Sequence, residues 1–315
     1  MRYSLLNPGK RIRPLLTLLA ADACGGDAER ALPVACAVEM VHVFSLIHDD
    51  LPAMDDDDLR RGKPTNHKVY GEGEAILAGD ALLTLAFQIL AEDIRPPQAA
   101  ARCASVLTRA IGACGMQGGQ WDDIRGLSDT LSVAGRKTAA LIEASCHLGA
   151  ITVEASPQQI AVLQTYGWKV GLAFQLVDDS IDEGASKGDV LRAQARTLTD
   201  EAIAEYKKVK DIEHATPTVV GTAQIHIGNS FYNREKYDEA ITEYRKAGEI
   251  PGILPVLASE AQYRIGISLY QQKKYDEAIS EFRKVSDIER AAPAHISDAN
   301  KQIERLLKIQ GGKAQ

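Results

Sequence analysis

A seven-residue pattern recurs at a fixed interval, and it constrains the fold more than any other feature of the chain. Asp-Glu-Ala-Ile-x-Glu plus an aromatic residue occupies Asp200–Tyr206, Asp238–Tyr244 and Asp276–Phe282, each copy 38 residues after the last. A second pattern, Ala-Gln-x-x-Ile-Gly, ends at Gly228 and again at Gly266 with the same offset of 38. A period of this size describes a helical hairpin that cannot bury its apolar face alone, so neighbouring units must stack. The preceding residues reach the helical class by another route. Aromatics make up only 5% of the chain, so its core is built from Ala, Leu, Ile and Val. Ile12–Ala23, Ala31–Leu51, Glu74–Glu92, Gln98–Gly115, Val133–Ile151 and Pro157–Asp182 are apolar runs of helix length. Pro52 stops the second and Pro96-Pro97 the third. No Val/Ile/Thr alternation argues for a strand. The spacing predicts an all-α chain: a helical bundle, then helical hairpins, then a closing amphipathic helix over Ser297–Ile309 and a frayed tail.

The net charge of −7 argues against nucleic acid as a main partner, because a phosphate backbone needs a basic face. The five cysteines, Cys24, Cys36, Cys103, Cys114 and Cys146, form no C-x-x-C pair and read as free thiols in a reducing compartment. The N-terminus opens no apolar signal core, and no run approaches the ~20 apolar residues of a membrane span. These features give a cytoplasmic protein as the expectation.

Six carboxylates lie within ten residues at Asp49, Asp50 and Asp55–Asp58, directly after an apolar helix. They repel one another unless cations neutralise them, and Mg²⁺ prefers such oxygen ligands together with phosphate oxygens. A solvated acidic turn is the plainer alternative. Arg60, Arg61, Lys63 and His67 follow at once, and these tip the reading toward a bound anion. Far away in sequence, Asp178 and Asp182 are four apart and share a helix face, with Asp179 between them. Like charges at that spacing cost ~0.2–0.5 kcal/mol unless something binds. Two apolar helices, each ending in an Asp pair, can face each other, with metal ions bridging them through a diphosphate. No G-x-x-x-x-G-K-[ST] loop and no G-x-G-x-x-G fingerprint is present.

Here the residues resemble a known family. MVHVFSLIHDDLPAMDDDDLRRGKPTNH, residues 40–67, is similar to the first aspartate-rich motif of bacterial farnesyl diphosphate synthases, and FQLVDDSID, residues 174–182, to the second. NPGKRIRP (7–14) resembles the family's basic motif, GGQWDD (118–123) its GGQ-x-x-D helix and RKTAALIEAS (136–145) its Lys-Thr segment. The resemblance to trans-prenyl diphosphate synthases covers about residues 3–185. It implies an isoprenoid-synthase-type helical bundle and a prenyltransferase that joins an allylic diphosphate to isopentenyl diphosphate. Mg²⁺ would be held by Asp49, Asp50 and Asp55 on one wall and by Asp178, Asp179 and Asp182 on the other. Arg60, Lys137, Thr138 and Gln175 would contact the allylic diphosphate. Lys10, Arg13, His42 and Arg61 would grip isopentenyl diphosphate, with Gly9 giving its backbone room. Asp49, Asp50, Asp55, Arg60, Lys137 and Asp178 are the catalytic set this implies. Phe44 and Ser45, five and four residues before Asp49, would close the tunnel floor. With the extra Pro52-Ala53, they imply a fifteen-carbon product. The family is commonly dimeric, so a homodimer is also implied. A terpene cyclase is disfavoured, because the basic segments suit a second diphosphate substrate.

After Asp182 the chain leaves that pattern, and the family's basic, Gly-containing loop is absent. The spacing around Gly228, Phe231, Ala240, Tyr244 and Ala247, and around Gly266, Leu269, Ala278, Phe282 and Val285, resembles the tetratricopeptide repeat. The expected division is a synthase-like bundle over 1–188 and a repeat domain with a capping helix over 189–315. Such repeats commonly present a surface to a peptide or protein partner. A second reading therefore stands beside the first: a scaffold or binding protein whose synthase-like half no longer turns over.

Overall fold

The computed structural model describes residues 1–126, 129–182, 185–210 and 217–311. The side chain of Asp182 and the tail at 312–315 lie outside the described residues. The bundle opens with a short α1 (Arg2–Leu5), then α2 (Ile12–Ala23) and α3 (Leu32–Asp49). A single 3₁₀ turn leads into α3, and Asp27 caps it by accepting from Glu29 N at 2.9 Å. After a short hairpin come α4 (Asn66–Tyr70), α5 (Glu72–Asp93), α6 (Pro97–Ile111) and α7 (Met116–Arg125). Glu72 and Glu74 sit in the first turn of α5, where negative charge favours the helix dipole. Then come α8 (Thr130–Val133), a π-helical turn (Ala134–Ala139), α9 (Ala140–Thr152), α10 (Pro157–Asp182) and α11 (Ala185–Lys210).

The core sits around α3. Val34, Val38, Val41 and Ile47 of α3 pack with Leu82, Ala86 and Leu90 of α5, Leu107 of α6 and Leu141 and Leu148 of α9. Small residues let these helices approach closely. A Cβ at Gly149 would overlap the Thr17 carbonyl of α2. Two helices, Ala28–Asp49 and Glu72–Asp93, are long and apolar enough to cross a membrane, which corrects the expectation that no run comes near that length. They pack along one another in the bundle, and a core helix passes the same test of length and composition.

The hairpin is the element that no alternation predicted. β1 (Leu59–Arg60) pairs antiparallel with β2 (Lys63–Pro64) in the register Leu59↔Pro64 and Arg60↔Lys63. Its turn residues, Arg61 (φ 53°) and Gly62 (φ 74°), both lie in the left-handed region that two-residue hairpins need. Strands of two residues are too short to show a period. Tyr3 Oη donates to Pro64 O at 2.7 Å and Asn66 Nδ2 to Ser4 Oγ at 2.8 Å, tying α1 to this turn.

The chain forms two compact units, Met1–Glu205 and Tyr206–Gln315. This division falls inside α11, later than the 188/189 boundary read from the motifs. Leu191 and Ala195 of α11 are buried with Ala173 and Leu176 of α10, which keeps most of α11 with the first unit. The second unit is two hairpins, α12 (Pro217–Asn233) with α13 (Tyr237–Gly248) and α14 (Pro255–Gln271) with α15 (Tyr275–Asp287), closed by α16 (Pro293–Gly311). Its repeat is physical as well as textual. Gly228 backs onto the Tyr244 ring and Gly266 onto the Phe282 ring, leaving no room for a Cβ at either glycine.

Candidate active site

α3 ends at the acidic run, and the chain then folds back so that Asp55 N donates to Asp49 O at 2.8 Å. This turn sends neighbouring carboxylates in different directions. Asp49 lines a cavity of about 490 Å³. Asp50 is buried away from it, accepting from Arg60 Nε at 2.8 Å and Nη2 at 2.5 Å. Arg60 also donates to Asp57 at 2.6 Å, while Asp55 is exposed. Burial pushes the Asp49 carboxyl up to about 6, with Lys137 opposing and Asp55 adding to the rise. A half-buried carboxyl held in this way is short of positive charge.

The facing wall is α10, where Asp178, Gln175 and Phe174 border the same cavity. Gln175 accepts from Thr138 Oγ1 at 2.5 Å and donates to Asp179 Oδ1 at 2.8 Å. Thr138 and Lys137 sit on the π-helical turn, a feature often found at functional sites. Helix α7 holds that turn in place. A Cβ at Gly119 would overlap the Lys137 backbone, Lys137 Nζ meets Asp123 at 2.5 Å, and Arg136 pairs with Asp122. Lys137, Gln175 and Asp179 border an adjoining cavity of about 290 Å³, which Lys187 of α11 also lines.

Gly9, Lys10, Arg13, His42 and Arg61 surround a basic pocket of about 250 Å³. Arg11, in the left-handed region at φ 50°, braces it by pairing with Glu39 and donating to the Leu5 and Asn7 carbonyls. Gly9 leaves the space that the Arg61 guanidinium fills. Arg13 approaches His42 Nε2 at 3.4 Å, and its own Nε is buried with no partner among the described residues. Burial pulls Arg13 down to about 10, with Glu39 opposing. Burial, then Arg13 and Arg61, pull His42 well below its ordinary value, so it is neutral near pH 7. Phe174 borders both this pocket and the main cavity. Phe44, 7% exposed, meets the His48 ring edge-on at 4.8 Å, and both border the main cavity with Ser45.

The structure thus brings Asp49, Asp178, Lys137, Thr138, Gln175, Phe44 and Ser45 to one cavity, where Arg13 and His42 also reach it from the basic pocket. It sets Asp50, Arg60, Asp55 and Asp179 outside that lining. Among the described residues no three acidic, His or Cys side chains form a ready metal nest. Sequence reasoning missed Gln120, which lies inside a quoted motif and lines the cavity, and His48, the residue before Asp49. It also missed Arg11, which stands between two named basic residues.

A mostly apolar chamber that includes Asp49, Asp178 and Lys137, and that shares Arg13, His42 and Phe174 with a basic pocket, suits an anion with a hydrocarbon tail and a second anion next to it. An all-helical bundle with such a site has the isoprenyl diphosphate synthase fold. The chain belongs to the polyprenyl synthetase family, whose model matches residues 1–243, and a tetratricopeptide repeat model matches residues 260–287. The first match runs past Asp182, beyond the last motif quoted above. The chain is 50% identical over 197 residues to the farnesyl diphosphate synthase of Geobacillus stearothermophilus, covering 59% of this chain and 66% of that protein. It is 46% identical over 226 residues to a heterodimeric geranylgeranyl pyrophosphate synthase large subunit of Arabidopsis thaliana, covering 68% and 61%. It therefore spans less than two thirds of the length of these curated relatives. Among solved structures, an FPP/GFPP synthase from Zymomonas mobilis superposes with a TM-score of 0.62 at 39% identity, covering 66% of this chain and 80% of that one. A geranyltransferase from Legionella pneumophila gives 0.63 at 33% identity, covering 75% and 86%.

Proposed function

We propose that this chain condenses an allylic diphosphate, dimethylallyl or geranyl, with isopentenyl diphosphate to give farnesyl diphosphate. One observation carries the reading: Asp49 and Asp178, from helices far apart in sequence, border a single apolar cavity that also holds Lys137 and Phe44. Mg²⁺ fits this site, because the raised Asp49 carboxyl would gain a counter-charge from it. When bound it supplies electrostatic stabilisation of the departing diphosphate. Asp49 and Asp178 would hold it, with Asp55, Asp179 and Asp182 nearby in the chain. Asp50 reaches it only by releasing Arg60.

Lys137, Thr138, Gln175 and Arg60 receive the allylic diphosphate. Lys10, Arg13, His42 and Arg61 hold isopentenyl diphosphate, and the orphaned Arg13 Nε finds an acceptor there. The allylic C–O bond breaks, and its electron pair leaves with the diphosphate. The double bond of isopentenyl diphosphate attacks the cation, and the released diphosphate takes the proton lost in restoring a double bond. The apolar walls exclude water from the cation. Purified chain incubated with Mg²⁺, dimethylallyl diphosphate and radiolabelled isopentenyl diphosphate tests this directly. No prenyl product at any enzyme concentration overturns it.

Two predictions follow from the same geometry. Below about pH 6 Asp49 carries its proton and offers no charge to a cation. Mg²⁺-dependent diphosphate binding should therefore strengthen as pH rises through about 6 and level off above it. Calorimetry against pH checks this, and Asp49→Asn should reduce the step to what the diphosphate's own ionisation leaves. Removing the ring at the cavity floor with Phe44→Ala should shift products beyond fifteen carbons. Chromatography of the products showing no longer chains would sink the floor assignment.

A second reading, diphosphate binding without turnover, is supported by the loss of the family's basic loop after Asp182. Both readings give a rise in thermal stability with Mg²⁺ and diphosphate, and only the first gives product. A peptide or protein partner for the repeats, a homodimer and a cytoplasmic location belong to the proposal as well.

A further inference from the structure

His48 borders the main cavity, yet its ring is held from another helix. Side chains on a helix lean back toward its N-terminus, and residues four apart share a face. The imidazole of His48 accordingly meets the Phe44 ring edge-on, with centroids 4.8 Å apart and the planes at 71°. Aromatic pairs favour this geometry. The other end of the imidazole reaches α5. Its Nε2 donates to the Ile76 carbonyl at 3.1 Å, and Asp80 Oδ1 stands 3.8 Å from the same nitrogen. Both neighbours are acceptors, which places the proton on Nε2 and fixes the ring's orientation. Gly79 makes the approach possible, since a Cβ there would overlap Nε2. The His48 side chain is 24% exposed and Phe44 is 7% exposed, and both line the cavity. Phe44 lies five residues before Asp49, about 7.5 Å back along the helix axis.

Resting on the synthase reading, with Phe44 as the cavity floor, we infer that His48 is a positioning residue that sets how long a hydrocarbon tail the cavity accepts. It acts by tying the Phe44 ring to α5. With the imidazole anchored at Ile76, the phenyl ring has a wall beside it when a tail presses on it. Without the imidazole, the ring changes rotamer into the vacated space and the floor drops. Crowding at Gly79 acts in the opposite sense. The atom that a new Cβ meets is the tip of a side chain, which gives way more readily than backbone. The imidazole then moves toward the cavity, and the room for a tail shrinks.

The test measures tail-length preference with unreactive probes, the thiolo analogues of geranyl, farnesyl and geranylgeranyl diphosphate, each with Mg²⁺. Wild-type chain should bind the farnesyl analogue at least about tenfold more tightly than the geranylgeranyl one. His48→Ala should bring that ratio to within about twofold and, in turnover, carry product beyond fifteen carbons. His48→Gln, whose amide nitrogen is a donor for the Ile76 carbonyl, should hold the ratio near the wild-type value. Gly79→Ala should weaken the farnesyl analogue at least about fivefold relative to the geranyl one. In a Phe44→Ala background, His48→Ala should change the ratio by less than about twofold, because both act through one ring. An unchanged ratio in His48→Ala overturns the inference, as does a uniform weakening of all three analogues, which would mark a merely structural role. Additive effects of His48→Ala and Phe44→Ala overturn it too. If His48→Ala does not fold, Gly79→Ala decides, and a Gly79→Ala chain that accepts the same or longer tails overturns the inference. Wild-type chain that discriminates among the tails yet makes no product defeats the synthase reading alone. Longer products from Phe44→Ala but not from His48→Ala defeat the inference alone.

Discussion

Asp178→Asn is expected to lower kcat about 10³-fold, with Asp49→Asn doing the same and the double variant little worse than either. The two carboxylates come from α3 and α10 and border the same cavity. In the proposed reaction each would hold positive charge against the departing diphosphate, and metal-supplied stabilisation of this kind is worth several kcal/mol, or about three powers of ten in rate. Removing either breaks the same bridge, so their effects should not add. Asn preserves shape, and circular dichroism should find the fold intact. Steady-state kinetics with both diphosphates is the measurement. A loss below about tenfold would show that the two walls do not act together.

The largest effect on stability is expected in the other unit. Phe282→Ala should destabilise the repeats by about 3–5 kcal/mol. Phe282 is fully buried, and Gly266 has given up its side chain to seat the ring. Tyr244→Ala should act alike, and it also strands Asn229, whose Oδ1 accepts from Tyr244 Oη at 2.7 Å. With only two hairpins and a closing helix, each interface is a large share of the unit, so the loss should spread through it. Denaturant unfolding of the variants checks this. A change under about 1 kcal/mol would mean that the rings do not hold the hairpins together.

The helices were legible because their apolar runs are long and end in plain stop signals. Ile12–Ala23 and Pro157–Asp182 have the ends the sequence suggested. Val133–Ile151 is another matter: it reads as one helix but contains a π-helical turn, and an extra residue per turn leaves no mark in an apolar pattern. The hairpin at Arg60–Lys63 was hidden by its brevity, although Arg61-Gly62 is a fitting turn. For the site, charge in the sequence identified the participants but not their directions. Asp49 and Asp50 look equivalent on paper. A helix turns successive side chains by about 100°, and one faces the cavity while the other faces Arg60. His48 could not be singled out, because the α5 carbonyl that holds it is brought there only by folding.

The pairing of Lys137 with Asp123, and of Arg60 with Asp50 and Asp57, has a consequence for discrimination. The resting protein already neutralises the cations that a substrate would use. A singly charged anion, or a phosphate without its metal ions, offers these side chains little more than their present partners do. An anion must bring several charges, and counter-ions for the carboxylates it displaces, before exchange becomes favourable. On the proposed function the site would thereby be set to a threshold, at which small singly charged anions leave these pairs intact and a diphosphate that arrives with metal exchanges them.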